Sequence, residues 1–478
     1  MAEITPNIVA YAALFAWPIV SLYLFATRST SVALIWTILG GHLLLPVGTI
    51  VKFEMIPAFD KDSIPNLCAL LGCLFFAKNA KSSGAGWGVA DALVVALLIG
   101  PFVTSLLNTD PVIVSDTFVQ PGVGLYDAGS ATLGQLIALI PFFLGRKYLR
   151  GAADAGNVLR ALAMAGLIYA LPILFEVRMS PQLHAWIYGY FPHQFAQMIR
   201  DGGFRPVVFL GHGLLVSFFV MTAMLASAAL WRAKLRVWQL PPPGVTAFLA
   251  VVSLLCKSLA SFAYGAALTP IVLLTKPRLQ VRLAAVLVSI ALSYPLLRTL
   301  DLIPTETILG IAETISTDRS DSLRTRFDQE KALLDHASER IWFGWGRYGR
   351  GRIYDEYGID RSVTDGEWII TIATFGVLGF LGQFGLLGLP VFRVLKVLSA
   401  GANSGPDVIF MTTLSLIIAI GMVDLIPNAS LSPWTWLVEG ALLGWTDALI
   451  AEGKSPINRR ISNVQRSTIL FPAKPRQS

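Results

Sequence analysis

The chain has 478 residues, of which 54% are hydrophobic and only 14% charged, with a net charge of +7 and a mean hydropathy of +0.63. A soluble globular protein has about a quarter of its residues charged, so a soluble fold is excluded. Apolar runs near 20 residues recur from end to end, unlike the alternating runs of about ten residues in an outer-membrane barrel. The basic excess does not point to nucleic acid, because Lys and Arg collect in short loops between apolar runs, as they do in polytopic proteins. Cys68, Cys73 and Cys256 all lie in apolar segments and offer neither metal spacing nor a disulfide framework.

The start, MAEITPNIVAYAALF, has no basic n-region and no small-residue cleavage site, and reads as a first spanning helix. Hydrophobic runs predict spans over 7–27, 31–51, 63–77, 87–107, 130–146, 157–175, 206–230, 244–256, 258–275, 281–298, 366–392, 407–426 and 432–450. The expected fold is an all-α polytopic membrane protein with 12–13 transmembrane helices, the lower number applying if 244–275 is a single helix. Residues 1–453 form the membrane domain, with 299–365 as a large exterior loop. No soluble domain is expected at either end, and 454–478 is expected to be a disordered basic cytoplasmic tail, able to rest on anionic lipid. The basic loops at 146–150, 231–236, 276–282 and 393–396 fall on one side, together with that tail, only if 244–275 crosses twice. That side is then cytoplasmic. The loops at 52–62, 108–129, 176–205 and 299–365 face the exterior.

Several polar residues at that exterior side could carry chemistry. Arg205, in the sequence Gly202-Gly203-Phe204-Arg205-Pro206, offers a fork of donors to phosphate, or simply snorkels to headgroups. His184 and His193 share its loop and read as structural or solvated, and His212 reads as a core histidine inside the following helix. Lys257 either marks a helical hairpin or joins the same anion site, a lysine in an apolar run being costly without water or a partner. Residues 320–339 predict an amphipathic surface helix with Leu323, Phe327, Leu334, Ala337 and Ile341 on its apolar stripe. Arg319 and Arg326 share its other face, next to Arg324. Arg326 and Glu330 also form an i,i+4 pair, so a surface salt bridge is the plainer reading.

Arg340, Arg347, Arg350 and Arg352 alternate with Trp342, Trp345, Tyr348, Tyr354 and Tyr357, which suits sugar and phosphate recognition or interfacial anchoring. In Thr364-Asp365-Gly366-Glu367, the spacing of Thr364 and Glu367 makes a capping box and Asp365 suits a first helical turn. Asp365 could equally take a proton from a hydroxyl, with Glu367 as the competing candidate. The next helix carries Gly376, Gly379, Gly382, Gly385 and Gly388, a stripe that predicts close helix packing.

From Arg326 to Leu389 the chain resembles the superfamily of O-antigen ligases and Wzy-type polysaccharide polymerases, in its exopolysaccharide-polymerase-like form. An arginine precedes a short helix ending in Gly344-Trp345-Gly346. Where the family has His-Asn, nine residues and Gly, this chain has Asp365-Gly366, nine residues and Gly376. The family histidine is thus replaced by Asp365. Arg205 lines up with a family arginine at the exterior end of a middle helix. Lys257-Ser258 falls near a family Ser-Arg hairpin, with Lys for Arg and the order reversed.

The resemblance implies a glycosyltransferase of the bacterial inner membrane, working at the periplasmic face without metal or cofactor. Its substrate would be a glycan on undecaprenyl diphosphate, polymerised into exopolysaccharide or O-antigen. Asp365, or Glu367 in its place, would be the base. Arg205, Lys257, Arg326 and Arg324 would hold the diphosphate, with Arg347 and Tyr348 at the glycan. Ligation of glycan to lipid A–core and flipping of a lipid-linked sugar are the alternatives. Other export and chain-length proteins would be partners besides the lipid bilayer.

Overall fold

The computed structural model describes residues 5–53, 57–77, 87–116, 118–200, 202–315, 317–399 and 405–451, the side chains of Ile315, Asp318 and Arg319 excepted. The protein is an all-α polytopic membrane protein. Its apolar helices are α1 (Ile8–Thr27), α2 (Thr30–Leu44), α3 (Ser63–Phe76), α4 (Val89–Leu106), α5 (Leu125–Tyr148), α6 (Ala152–Met179), α8 (Gly213–Arg232), α9 (Pro242–Leu255), α10 (Leu259–Leu274), α11 (Pro277–Thr299), α14 (Glu367–Ser399), α15 (Pro406–Asp424) and α16 (Pro433–Ala451). Eight of them, α1, α4, α5, α6, α8, α11, α14 and α15, are long and apolar enough to cross a bilayer. Each of the thirteen expected spans has its helix, with ends shifted by a few residues. The largest shifts, of seven residues, are at the end of α2, the end of α14 and the start of α8, which begins at Gly213 rather than near 206 because 205–212 is spent in a turn.

The helices α9 and α10 are separate. Lys257 adopts a left-handed backbone (φ 53°) between them, and a non-glycine residue in that region marks a turn rather than a continuing helix. The thirteen-helix count therefore stands over the twelve-helix alternative among the described residues. The basic tail expected at 454–478, and Arg319 on α13 as far as its side chain is concerned, lie outside the described residues.

Small residues set the packing. Along the seam of α5 and α16, Gly145 meets the Leu437 carbonyl, Gly440 the Phe142 carbonyl and Gly444 the Arg146 carbonyl, so no side chain separates the two backbones. α8 is buried nearly all round, among α6, α9 and α10. At one end of the bundle Arg146 bridges Asp91 (2.7 Å) and Asp447 (3.1 Å), and Arg393 holds the other oxygen of Asp447 (2.6 Å). These residues tie α4, α5, α14 and α16 together with matched charges.

The opposite end is built from the longer connections. Residues 180–212 contain the short helix α7 (Leu183–Tyr188) and a hairpin of β3 (Ile199–Arg200) with β4 (Gly203–Phe204). A second hairpin pairs β1 (Val112–Ile113) with β2 (Val119–Gln120). The stretch 299–365 is not a plain loop: α12 (Thr305–Ile315) and α13 (Thr317–Ser338) occupy its first half. The apolar stripe expected on α13 is present, with Leu334 and Ala337 buried and Leu323 and Phe327 half-buried.

One expectation fails in an informative way. The span 366–392 is not a single straight helix. α14 breaks at Gly376 (φ 68°, ψ −168°), a combination open essentially to glycine alone. Beyond the break the helix folds back, so that Gln383 Nε2 donates to Glu367 Oε1 (2.8 Å) and reaches Thr371 Oγ1 (3.3 Å). In a straight helix Glu367 and Gln383 would stand about 24 Å apart. The break is closed by the turn at 341–346. Trp345 N–H donates to Ala373 O and Gly346 N–H to Thr374 O (both 2.9 Å), while Val377 N–H and Leu378 N–H donate to Ile341 O (2.8 Å) and Trp342 O (3.3 Å). A Cβ on Gly376 would overlap the Trp342 carbonyl group. The remaining glycines of the stripe do pack, Gly382 and Gly385 against α4 and Gly388 against α11.

Gly376→Ala is expected to lower stability by about 1–3 kcal/mol from backbone strain alone, with more added by the overlap. A thermal midpoint in detergent equal to wild type would contradict this reading of the break.

Candidate functional site

At the junction where the 299–366 segment enters α14, Arg326 Nε lies 3.1 Å from Asp365 Oδ2. Two elements place this pair. α13 is held down by Arg298, whose Nη2 donates to Phe327 O (2.8 Å) and whose guanidinium lies over the Phe327 ring. Tyr294 OH donates to Glu330 Oε2 (3.0 Å), and Arg298 Nε stands 3.7 Å from the same oxygen. Glu330 is thereby turned to α11 instead of forming the expected helical pair with Arg326, which leaves Arg326 for Asp365. Burial pushes the Glu330 carboxyl above its ordinary range, against the pull of Tyr294 and Arg298. The first arm of α14 rests on the same support, Trp368 packing edge-on against Tyr294 at 5.2 Å.

A further carboxylate stands near. Asp424, at the end of α15, is buried and accepts from Asn428 Nδ2 and Ser430 Oγ (both 3.0 Å). The sequence reading left Asp424 inside an apolar span. An ionisable residue within a membrane helix, three residues before Pro427, was the signal that could have found it.

Arg205 arrives from the other half of the chain. Its backbone leaves β4 with its N–H on Met198 O (2.8 Å), and its Nη2 donates to Lys257 O (3.1 Å). Lys257 Nζ in turn donates to Arg200 O (2.9 Å). Arg205 and Lys257 thus meet in a contact between the β3–β4 hairpin and the α9–α10 turn, made through the Lys257 backbone carbonyl. The turn after Arg205 is clamped by Glu176 of α6, which accepts from Val207 N–H (2.8 Å), Val208 N–H (2.7 Å) and Leu183 N–H (3.0 Å). Sequence reasoning gave Glu176 no role.

His212 is not inside a helix as expected. It is the N-cap of α8, its Nδ1 accepting from Leu214 N–H (3.1 Å). Its ring meets that of His193 at 4.7 Å. Burial, then His193, Arg205 and Arg326, push its pKa down to about 4.

The other sequence candidates lie elsewhere. Arg324 is exposed, 3.8 Å from Glu306 of α12. Arg347 reaches Ser130 of α5 (3.4 Å), and Tyr348 sits by Asp127 of the same helix with a left-handed backbone (φ 64°). Glu367 gives a carboxylate oxygen to Gln383, so that oxygen is not closing a capping box with Thr364. His184 is structural, Nδ1 bonding Tyr190 O and Nε2 accepting from Val47 N–H.

Most arginines of the aromatic-basic loop are committed to the protein itself. Arg340 grips Asp110 (2.6 Å), and buried Arg350 donates to the carbonyls of Trp345, Pro121 and Asp110. Arg352 pairs with Asp360 (2.5 Å) and Arg361 with Asp355 (2.8 Å), closing residues 352–361 on themselves. Trp345 is buried against His336, whereas Trp342 and Tyr357 remain exposed.

Among the described residues no group of three or more His, Cys, Asp and Glu side chains is placed to hold a metal ion. Compared with known proteins, the chain matches no family model, and no curated sequence matches it significantly.

Glu330→Ala should unseat α13 by removing the acceptor shared by Tyr294 and Arg298, at a cost of about 1–3 kcal/mol. Faster proteolytic cleavage near 320–338 and a lower thermal midpoint are the expected readouts; unchanged values would show that α13 does not depend on this contact.

Proposed function

We propose that the protein is a membrane glycosyltransferase that polymerises oligosaccharide repeats carried on undecaprenyl diphosphate, at the periplasmic face of the bacterial inner membrane. The observation that carries the reading is the Arg326–Asp365 ion pair at the mouth of a broken membrane helix. A diphosphate leaving group needs fixed cations, because negative charge grows on its bridging oxygen as the glycosidic bond breaks. Arg326 and Arg205 supply guanidiniums on backbone that is itself clamped, and Lys257 holds Arg205 through its carbonyl.

The reaction assigns each group one task. An acceptor hydroxyl attacks the anomeric carbon, the C–O bond to the diphosphate breaks, and its electron pair stays on the diphosphate. The hydroxyl proton passes to Asp365. In the free protein Arg326 occupies Asp365, so a diphosphate that draws Arg326 to itself also releases the carboxylate to act as base. Asp424 is the alternative acceptor. Arginine side chains rather than a metal ion meet the charge of the leaving group.

Ligation to lipid A–core uses the same chemistry and differs in the acceptor. Transport is less well supported, since Lys257, the cation that a transport route would need at mid-helix, sits at a turn with its ammonium on Arg200 O. Purified protein supplied with a defined lipid-linked repeat should yield a ladder of products, also in EDTA. A single transfer to lipid A–core would make it a ligase, and strict metal dependence would contradict the mechanism. Asp365→Asn should lower turnover at least 100-fold with the protein still in the membrane; wild-type polymer from that variant would remove Asp365 as base. Arg326→Ala and Arg205→Ala should each weaken binding of undecaprenyl diphosphate.

A further inference from the structure

His212 was expected to be a satisfied core histidine, and its place at the start of α8 gives it a defined chemical state. A backbone N–H, that of Leu214, points at Nδ1 from 3.1 Å. Nδ1 must therefore carry its lone pair, and in the neutral ring the proton resides on Nε2. The ring stays neutral at physiological pH: it is largely buried, and His193, Arg205 and Arg326 all oppose a further positive charge there. A neutral imidazole with this tautomer has no free basic nitrogen, so it is not a general base. It has one N–H left to give.

That N–H has a cation for a neighbour. Arg205 comes beside it from the β3–β4 hairpin, its stem lying against Gly213, the residue next to His212, where a Cβ would overlap it. A guanidinium and an uncharged donor make a mixed anion site: the cation supplies the attraction, and the neutral donor adds direction without a second, mutually repelling charge.

We infer that His212 is a binding residue for the diphosphate, donating through Nε2 to a phosphate oxygen that Arg205 also engages. This rests on the proposed lipid-diphosphate substrate and assigns it one more contact. Lipid-borne diphosphate and free inorganic diphosphate share the chemistry, so both serve as probes. The site on the protein of a membrane-embedded carrier predicts that the lipid form binds more tightly.

Two substitutions separate the two nitrogens of the ring. His212→Asn places an amide oxygen near the position of Nδ1 and is itself a favoured N-cap, but it does not extend to the position of Nε2. His212→Gln places an amide N–H near Nε2 and forgoes the cap. Binding of undecaprenyl diphosphate, and of inorganic diphosphate, is measured on the full chain in lipid nanodiscs, alongside the thermal midpoint.

The expected result is about a ten-fold or greater loss of affinity in H212N at an unchanged midpoint, the size of one hydrogen bond to a charged group, with most of it regained in H212Q. Wild-type affinity in H212N, while Arg326→Ala binds weakly, overturns the donor role and leaves the site. Unchanged affinity in both H212N and Arg326→Ala overturns the lipid-diphosphate reading together with it. Should H212N fail to fold, H212Q decides: near-wild-type affinity supports the donor, and a ten-fold loss at an unchanged midpoint overturns it.

Discussion

A helix broken inside a membrane protein exposes backbone groups that hydrocarbon cannot satisfy, each at a cost of several kcal/mol. In this protein the exchange of hydrogen bonds between the turn at 341–346 and the two arms of α14 removes that cost. Two N–H groups of the turn serve the carbonyls that end the first arm, and two carbonyls of the turn serve the N–H groups that open the second. The rest of the site follows from this interlock. It lets the first arm lie beside the second, so that Trp368 reaches Tyr294 and Asp365 arrives beside Arg326. It also fixes Gly344 and Gly376 as glycines, each with its Cα pressed on the other's backbone neighbours.

The two ends of the bundle solve the problem of buried charge differently. At the basic end Arg146, Arg393, Asp91 and Asp447 neutralise one another in a closed network. At the other end carboxylates and cations are spent largely on backbone: Glu176 on three N–H groups, Arg350 on three carbonyls, Lys61 on Phe209 O. Arg326 and Asp365 are different, being only partly buried and paired with each other.

Much of the fold was legible because lipid leaves few options. Runs near 20 apolar residues name their helices, so thirteen apolar helices among the described residues could be expected from the sequence, the pair within 244–275 being the one left open between one helix and two. The arginine helix was legible from its stripe, since Leu323, Phe327, Leu334 and Ala337 recur at helical spacing. The break in α14 was not. Five glycines three apart look like a packing stripe, and nothing local distinguishes Gly376, whose backbone is dictated by a turn earlier in the chain. The same limit hid the partners of Glu330 and Glu367: local spacing offered Arg326 and Thr364, while the contacts that form are with Tyr294, Arg298 and Gln383. Arg326 and Asp365 were identified as residues, but their pairing came from tertiary structure.

The turn at 341–346 and the neighbouring stretch 352–361 differ in how far they can be exchanged. The first is woven into α14 through four backbone bonds, so a chimera that replaces it must bring its own α14 and the glycine at the break. The second closes on itself through Arg352–Asp360 and Arg361–Asp355, and touches the rest of the molecule through the ring of Tyr354 against Phe118 and through Ile353 against the core. It is a modular insert on a fixed frame, the natural place for grafting and for divergence in sequence, with the helix break beside it left intact.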